Sequence, residues 1–314
     1  MPFDWKPKIY DPLDRFFGQL VSTNVRAASG CEVFLYGLPF DGAVLGRKGC
    51  AKGPQALREA LKLLKTGCCA NDEVTRRIFD MGDVKLPTKN VLKAHALAEA
   101  KAREALALAE QSSRPHDARV IALGGDHSLA FPCAWPYLQR LGERFAVINL
   151  DAHLDVRHVV KDHPPNSGTG FGRLLDKGLV YYACVGARDF QTSPAYVKRV
   201  EDSSGMIVTS AAVHEKGALH AAREVLNAIP QRVECIYLSV DLDVADAAVA
   251  PGVSAPTPGG LFAHQLFALV RAFAADPRTR VAGVFELAPN LEAPRSDRTA
   301  RLAAGCVALM LASE

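Results

Sequence analysis

The chain has 314 residues, of which 49% are hydrophobic and 23% are charged, and its formal net charge at pH 7 is +3. These values are typical of a globular protein with a sizeable core, and the small net charge gives no basis for binding nucleic acid. No stretch is apolar for long enough to form a transmembrane helix, and residues 1–8 lack the apolar segment of a secretory signal. We therefore expect a cytoplasmic protein that binds neither nucleic acid nor membrane.

The cysteines predict neither a zinc ribbon nor a redox motif. Eight are present, and no two of them form a CxxC pair. Three lie in apolar strand or helix contexts, Cys184, Cys235 and Cys306. Buried thiols are the expected role for these three.

Apolar runs that predict β-strands alternate with helical segments along the chain. In chain order the predicted strands cover residues 33–36, 77–79, 120–123, 145–150, 180–185, 206–208, 235–240 and 281–285. Helices are predicted over residues 91–111, 218–229 and 264–274, from their composition or from apolar spacing close to 3.6. Several strands are apolar throughout, which is typical of parallel strands covered on both faces. The alternation therefore predicts a three-layer αβα fold around a parallel sheet.

One domain is predicted for the whole chain, residues 1–314. There is no low-complexity linker and no internal repeat. The metal-type motifs described next span residues 127–243, so a domain boundary between them would divide one site. Stretches rich in proline and glycine at residues 162–172 and 251–260 are predicted to be loops. Both follow these motifs, where substrate loops are expected.

Four polar segments follow predicted strands, where ligands bind in open α/β sheets. They are Gly124-Gly125-Asp126-His127-Ser128, Asp151-Ala152-His153-Leu154-Asp155, Asp241-Leu242-Asp243 and Glu286. The fold would bring two histidines and four aspartates together from these segments. Oxygen-rich sites with some imidazole suit cations such as Mn²⁺, and carboxylates can bridge a metal pair. The pattern indicates a two-metal hydrolase.

Each segment by itself also has an ordinary structural interpretation. The DxHxD segment could be a polar loop, although alternate side chains of an extended segment point the same way. The DxD pair fits an Asx-turn, but such close carboxylates repel unless a cation or proton separates them. His127 alone would be a buried structural histidine, with Asp126 orienting it or a neighbouring backbone group. Glu286 could bind a cationic amidine or guanidine, or it could be a surface residue paired with Arg295 or Arg298.

These motifs, in this order, resemble those of the ureohydrolases, the family of arginases, agmatinases and formimidoylglutamases. The resemblance covers nearly the whole chain. Its N-terminal part rests on the segments Gly37-Leu38-Pro39-Phe40-Asp41, Gly53-Pro54-Gln55-Ala56-Leu57-Arg58 and Asp80-Met81-Gly82-Asp83. It implies a single arginase-like α/β domain with an eight-stranded parallel sheet, and a homo-oligomer. The implied reaction is hydrolysis of a C–N bond in a guanidinium or amidine.

The resemblance also implies a binuclear Mn²⁺ centre, with two ions per subunit. The implied ligands are His127, Asp151, His153, Asp155, Asp241 and Asp243. A metal-bridging hydroxide would attack the planar carbon of the substrate. A bridging carboxylate, by analogy Asp155 and next Asp243, would accept or relay a proton. Glu286 completes the expected catalytic residues and would also bind the cationic end of the substrate.

The loop at residues 166–172 separates two branches of the family. Arginases and agmatinases carry a catalytic-loop histidine, whereas Phe171 occupies that position here. The stretch from Asn166 and Ser167 to Phe171 resembles the Asn-Gly-Thr-Pro-Phe loop of formimidoylglutamases, although Gly170 departs from its proline. His163 lies nearby and is a candidate to replace the missing histidine. The ordinary alternative for His163 is a solvated loop residue.

Arg157 follows Asp155 by two residues, where arginases typically have an asparagine. Its guanidinium fork would match one of the two carboxylates of N-formimidoylglutamate, although a solvated surface arginine is the alternative. The segment Arg188-Asp189-Phe190 resembles the Gly-x-Arg-x-Phe segment of formimidoylglutamases. Arg188 itself is shared widely in the family, so it could be structural. The substrate contacts implied by the resemblance are Arg157, Asn166, Ser167, Arg188 and Glu286.

The resemblance therefore implies a Mn²⁺-dependent, formimidoylglutamase-like hydrolase. It would convert N-formimidoyl-L-glutamate and water to L-glutamate and formamide, in histidine degradation. One alternative is a ureohydrolase that acts on a guanidino acid such as guanidinobutyrate or arginine, or on agmatine. Another is a family member that binds metal without catalysis, against which the intact set of six ligands argues.

Overall fold

The computed structural model describes residues 2–8, 11–67 and 73–312 of the chain. This part contains nine strands in one parallel sheet, in the order β1-β3-β2-β4-β9-β8-β5-β6-β7. The strands are β1 (Val21–Ser22), β2 (Val33–Gly37), β3 (Ile78–Asp83), β4 (Arg119–Leu123), β5 (Phe145–Leu150), β6 (Tyr182–Ala187), β7 (Met206–Thr209), β8 (Cys235–Asp241) and β9 (Thr279–Phe285).

Nine α-helices in the same described residues flank the sheet. They are α1 (Gly53–Leu61), α2 (Val91–Glu110), α3 (Ala130–Leu141), α4 (Gly170–Leu175), α5 (Pro194–Asp202), α6 (Ser210–Lys216), α7 (Ala218–Ala228), α8 (Ala263–Ala274) and α9 (Arg298–Ala312). One face of the sheet packs against α1 and α6 to α9, and the other packs against α2 to α5.

Strand β5 illustrates why both faces are covered. Ala146, Ile148 and Leu150 belong to the core on one side, and Phe145 and Val147 belong to the core on the other. Successive side chains of a strand point to opposite faces, so a strand that is apolar throughout needs a layer of helices on each side. All six residues of β5 are buried. The prediction of an αβα fold is confirmed.

The eight predicted strands are all present, with ends that differ by a few residues at most. The ninth strand, β1, has only two residues and pairs with β3 at the edge of the sheet, and so short a strand has no readable apolar pattern. The predicted loop at residues 162–172 is partly wrong, because α4 begins at Gly170. The predicted loop at residues 251–260 is confirmed, since it contains no helix and only an isolated bridge.

A buried guanidinium ties α1 to β3. Arg58 is 2% exposed, and it donates from Nε and Nη2 to the two carboxylate oxygens of Asp80, at 2.9 Å each. Its Nη1 donates to Asp83 at 2.6 Å. Trp5 Nε1 also donates to Asp80, at 2.9 Å, which attaches the N-terminal segment to the same group. Two motifs that carry the family resemblance therefore form a structural ion pair with its hydrogen bonds satisfied.

Two further expectations from composition concern membrane-spanning helices and the cysteines. Across residues 2–8, 11–67 and 73–312, no helix has both the length and the apolar character needed to cross a membrane. The thiols of Cys184, Cys235 and Cys306 are buried and unpaired, as predicted.

Candidate metal centre and substrate cavity

The four polar segments meet because they follow four adjacent strands in the middle of the sheet. The strands β4, β9, β8 and β5 are neighbours in that order. His127 follows β4, Glu286 follows β9, Asp241 and Asp243 lie at the end of β8, and residues 151–155 follow β5. All strands are parallel, so their carboxyl ends lie at one edge of the sheet, where open α/β sheets bind ligands.

The first group of candidate ligands surrounds the imidazole of His127. Its Nδ1 lies 3.1 Å from Asp151 Oδ2, 2.9 Å from Asp155 Oδ2 and 3.1 Å from Asp241 Oδ2. One donor atom from each of these four residues falls within 4.8 Å of every other, which is close enough to hold one metal ion. Nitrogen and carboxylate oxygen are the ligand types expected for manganese.

The second group lies beside the first and shares Asp151 with it. His153 Nδ1 is 3.4 Å from Asp151 Oδ1 and 3.1 Å from Asp243 Oδ2. The two groups use different oxygens of Asp151. Asp155 and Asp243 each belong to one group only, so Asp151, rather than either of them, is the carboxylate that would bridge two ions. Together the groups contain all six ligands that the family resemblance implies.

The first group fits a cation better than it fits internal hydrogen bonding. His127 Nδ1 is buried, and despite the three nearby oxygens it makes no hydrogen bond of acceptable geometry. Burial opposes a charged imidazole, but the three carboxylates raise the pKa of His127 well above its usual value. Burial and the charge of Asp151 raise the pKa of Asp155 to about 6. Crowded carboxylates repel, and a bound divalent cation would relieve that repulsion.

A surrounding set of polar groups holds the candidate ligands in place. Ser239 Oγ lies 2.8 Å from Nε2 of His127, which leaves Nδ1 directed at the carboxylates. Asn149 Nδ2 donates to Asp151 Oδ2 at 2.9 Å, and the backbone N–H of Ala152 donates to Asp243 Oδ1 at 3.2 Å. Such partners fix the orientation of metal ligands. No local pattern predicts this role for Ser239 or Asn149, although each lies two residues before a candidate ligand, Asp241 and Asp151.

Glu286 is buried beside the first ligand group. It is 2% exposed, its Oε1 accepts from the His127 backbone N–H at 2.7 Å, and its Oε2 accepts from Cys50 Sγ at 3.0 Å. Burial raises the pKa of its carboxyl group. Its φ of 65° is left-handed, a strained conformation for a residue other than glycine, as is the φ of 48° at Asp155. The alternative of a surface glutamate is therefore wrong.

A cavity of about 470 Å³ opens above both ligand groups. Its floor contains His153, Asp155, Asp241, Asp243 and Glu286. Its wall and mouth are formed mainly by Leu45, Arg157, Ser167, Gly168, Phe190, Gln191, Thr192, Ser193, Tyr196 and Ser254. A small molecule that enters this cavity meets carboxylates at its deep end and a guanidinium with several hydroxyl groups nearer to solvent.

The predicted substrate contacts divide into two classes. Arg157 and Ser167 line the cavity, as does Glu286. Asn166 does not. Its Oδ1 caps the following turn by accepting from the Gly168 N–H at 3.1 Å, and the residue lines an adjacent groove instead.

Arg188 was also a predicted substrate contact, and the structure contradicts this prediction. It is 5% exposed and does not line the cavity. Its guanidinium donates to backbone carbonyl groups instead, to Gly186 at 2.6 Å, Asp243 at 3.0 Å and Val244 at 2.8 Å. These contacts hold the backbone at Asp243 in place, so we assign Arg188 a structural role.

Phe171 and His163 also lie away from the cavity. Phe171 is fully buried, and its ring packs edge-on against His127, with 5.4 Å between ring centroids. The same ring packs against Tyr182 in a tilted arrangement, with 5.0 Å between centroids. The residue at the position of the missing loop histidine therefore packs against the candidate ligand His127. His163 lines the adjacent groove with Asn166 and is not part of the main cavity.

Comparison with known proteins agrees with this geometry. A sequence profile of the arginase family matches residues 31–312. The formimidoylglutamase of Halobacterium salinarum is 41% identical over 314 residues, covering 98% of this chain and 97% of that protein. The crystal structure of formimidoylglutamase from Bacillus subtilis superposes with a TM-score of 0.87 and 28% identity, covering 97% of this chain and 93% of the other. That of Trypanosoma cruzi formiminoglutamase with Mn²⁺ superposes with a TM-score of 0.79 and 25% identity, covering 90% and 93%.

The chain therefore belongs to the arginase family. The match extends over nearly the whole chain and over nearly the whole length of the relatives. It confirms the arginase-like fold and the prediction of a formimidoylglutamase-like hydrolase acting on C–N bonds.

Proposed function

We propose that this enzyme hydrolyses N-formimidoyl-L-glutamate to L-glutamate and formamide, with two Mn²⁺ ions per subunit. The observation that carries the proposal is the composition of the cavity, which has Glu286 and both ligand groups at its floor and Arg157 on its wall. The substrate has a cationic amidine at one end and two carboxylates at the other. Its charges therefore complement those of the cavity from end to end.

The residues that would hold the metals are those of the two ligand groups. His127, Asp151, Asp155 and Asp241 would bind one ion, and Asp151, His153 and Asp243 would bind the other. When bound, manganese lowers the pKa of water, so that hydroxide is available as a nucleophile near neutral pH.

The protein's own groups would bind and orient the substrate. The carboxylate of Glu286 would bind the N–H groups of the amidine, because Glu286 lines the cavity floor and its two oxygens are held there by the His127 backbone N–H and the Cys50 thiol. Arg157 would bind a substrate carboxylate, and Ser167 lines the same cavity and is available to add a hydroxyl contact. Asp155, and next Asp243, would accept or relay a proton between the attacking water and the leaving amine.

A substrate panel tests the proposal. The Mn²⁺-loaded enzyme should release formamide and glutamate from N-formimidoyl-L-glutamate, and removal of metal by chelation should abolish this release. Guanidinobutyrate, arginine and agmatine should be poor substrates, because none of them presents two carboxylates with an amidine. Urea release from one of these compounds at a higher kcat/KM would instead identify a guanidino-compound ureohydrolase.

We also propose that the enzyme is a cytoplasmic homo-oligomer. The support for this part is the family resemblance. Light scattering coupled to size-exclusion chromatography tests the assembly, and a mass equal to one chain would contradict it.

A further inference from the structure

A buried hydrogen-bond network behind the metal ligands takes no direct part in the mechanism proposed above. It starts at His95 on α2, which is 5% exposed, and runs to Ser128 and Asp126. These two residues flank the candidate ligand His127 in the sequence. Arg173 on α4 joins the network at the other side of the His95 ring. Because these groups come from three separate parts of the chain, no local sequence pattern reveals their contact.

The chemistry of the four groups determines which atom donates each hydrogen bond. Arginine has only donors, so Arg173 Nη1, which lies 3.1 Å from His95 Nδ1, donates to that nitrogen. The ring proton of His95 is therefore on Nε2, and it is donated to Ser128 Oγ at 2.9 Å. Ser128 Oγ in turn donates to Asp126 Oδ1 at 2.5 Å. Burial, helped by the charge of Arg173, lowers the pKa of His95 to about 3, which keeps the ring neutral.

Asp126 carries the network to the metal-ligand turn and to the cavity wall. Its Oδ1 also accepts from the Ser128 N–H at 3.2 Å, which caps the turn that contains His127. Its Oδ2 accepts from the Ala43 N–H at 2.9 Å. The carbonyl of Ala43 accepts from the N–H of Ser167, a cavity residue, at 3.0 Å. The residues before and after His127 are thus held by the same chain of hydrogen bonds.

Helix α4 connects this network to a second candidate ligand. The backbone N–H groups of Phe171 and Gly172 donate to the carbonyl of Asp155, at 3.1 and 3.2 Å. The Phe171 ring packs against His127, and Arg173, two residues further along, reaches His95. One short helix therefore contacts the backbone of one ligand, the ring of another and the network behind it.

We propose that His95 is a positioning residue of the metal centre, acting on His127 through Ser128 and Asp126, with Arg173 fixing the orientation and tautomer of its ring. The inference rests on the proposed function, because it takes His127 Nδ1 to be a manganese ligand. The direction of Nδ1 depends on the backbone at residues 126–128, which the network holds. Loss of a group that supports a metal ligand typically lowers metal affinity or activity by about 10- to 100-fold.

Two substitutions of His95 separate hydrogen bonding from packing. His95→Phe fills the space with an apolar ring and removes both polar contacts. His95→Gln keeps one donor and one acceptor in roughly the same place. Mn²⁺ dissociation constants, measured on the full-length chain by titration calorimetry, should rise about 10- to 100-fold in His95→Phe. In His95→Gln most of the affinity should return.

Ser128→Ala and Tyr181→Phe complete the experiment. Ser128→Ala removes a single hydroxyl, so it tests the network even if His95→Phe does not fold, and it should weaken Mn²⁺ binding in the same way. Tyr181→Phe is the matched control, because it removes a buried hydrogen bond of 3.1 Å to the Val225 carbonyl near the opposite edge of the sheet. It should lower the melting temperature without changing Mn²⁺ affinity.

The outcomes distinguish this inference from the proposed function. Parental Mn²⁺ affinity in both His95→Phe and Ser128→Ala would overturn the inference and leave the proposed function standing. An equal loss of affinity in Tyr181→Phe would also overturn it, because the effect would then reflect general stability. If the unmodified chain binds no Mn²⁺, the proposed function fails, and the inference fails with it.

Discussion

Removal of the Arg157 guanidinium should lower kcat/KM for N-formimidoyl-L-glutamate by about 10- to 100-fold. A hydrogen bond to a charged group contributes about 1.5–3 kcal/mol, and about 1.4 kcal/mol corresponds to a factor of ten. Arg157 is exposed on the wall of an open cavity, so solvent screening favours the lower end of this range. The loss in Arg157→Ala should appear mainly in KM, because the contact is with the end of the substrate that does not react.

The structure offers a second way to disturb the same side chain. A Cβ atom at Gly168 would lie 2.9 Å from Arg157 Cδ and 3.1 Å from its Nε. Gly168→Ala should therefore displace the guanidinium and reproduce part of the loss, although the charge remains in the cavity. Arg157→Lys should give an intermediate KM, because lysine keeps the charge but lacks the planar fork.

The assay compares two substrates, N-formimidoyl-L-glutamate and an amidine of similar length with an uncharged tail. Arg157→Ala should reduce kcat/KM for the first and leave the second unchanged or improved. Arg223→Ala, at an exposed arginine on α7, is the control and should affect neither. If Arg157→Ala keeps the parental kcat/KM for N-formimidoyl-L-glutamate, the role of Arg157 in carboxylate binding is refuted. An equal loss of kcat/KM on both substrates would refute it as well.

Three further predictions concern the metal centre, the fold and the neighbouring groove. Asp243→Ala should abolish turnover and lower the bound Mn²⁺ measured by elemental analysis, because one candidate ligand is lost and the remaining carboxylates repel each other. The effect on the fold should be smaller, and full activity with unchanged metal would contradict the prediction. Arg58→Ala should lower the free energy of unfolding in urea by about 3–5 kcal/mol, because it leaves the buried carboxylate of Asp80 without its charged partner. Arg301→Ala, which removes an exposed ion pair, is the control and should lower the free energy of unfolding far less. His163→Ala should keep the parental kcat, because His163 lies outside the cavity, and a tenfold loss would show that it replaces the loop histidine.

Local pattern was sufficient for eight of the nine strands in the described residues and for the six candidate ligands. A strand buried on both faces must be apolar throughout, so runs such as residues 145–150 and 235–240 are visible in one dimension. Ionisable residues directly after such runs are costly unless they are paired or bind a ligand, so their position alone marks them. Because parallel strands all end at the same edge, the sequence also implied that these residues would meet.

Helix α3 shows where local pattern was insufficient. It contains Pro132 near its start and Pro136 in its interior, and proline disfavours the middle of a helix because it removes a backbone donor and clashes with the preceding turn. No helix was predicted there. Packing against α2 and α4 and burial of residues such as Phe131 and Leu138 outweigh that cost, and burial of this kind depends on elements that are distant in the sequence.

The roles of the polar residues around the site were likewise decided by tertiary structure. Arg157 and Arg188 are both arginines near metal-type motifs, yet one lines the cavity and the other is buried against backbone carbonyl groups. Phe171 is the last residue of a loop motif but is buried in the core. His95 lies on a helix with no motif, yet it contacts Ser128. The sequence determines which residues are present at each strand end. Which of them faces substrate depends on long-range contacts that only the folded chain provides.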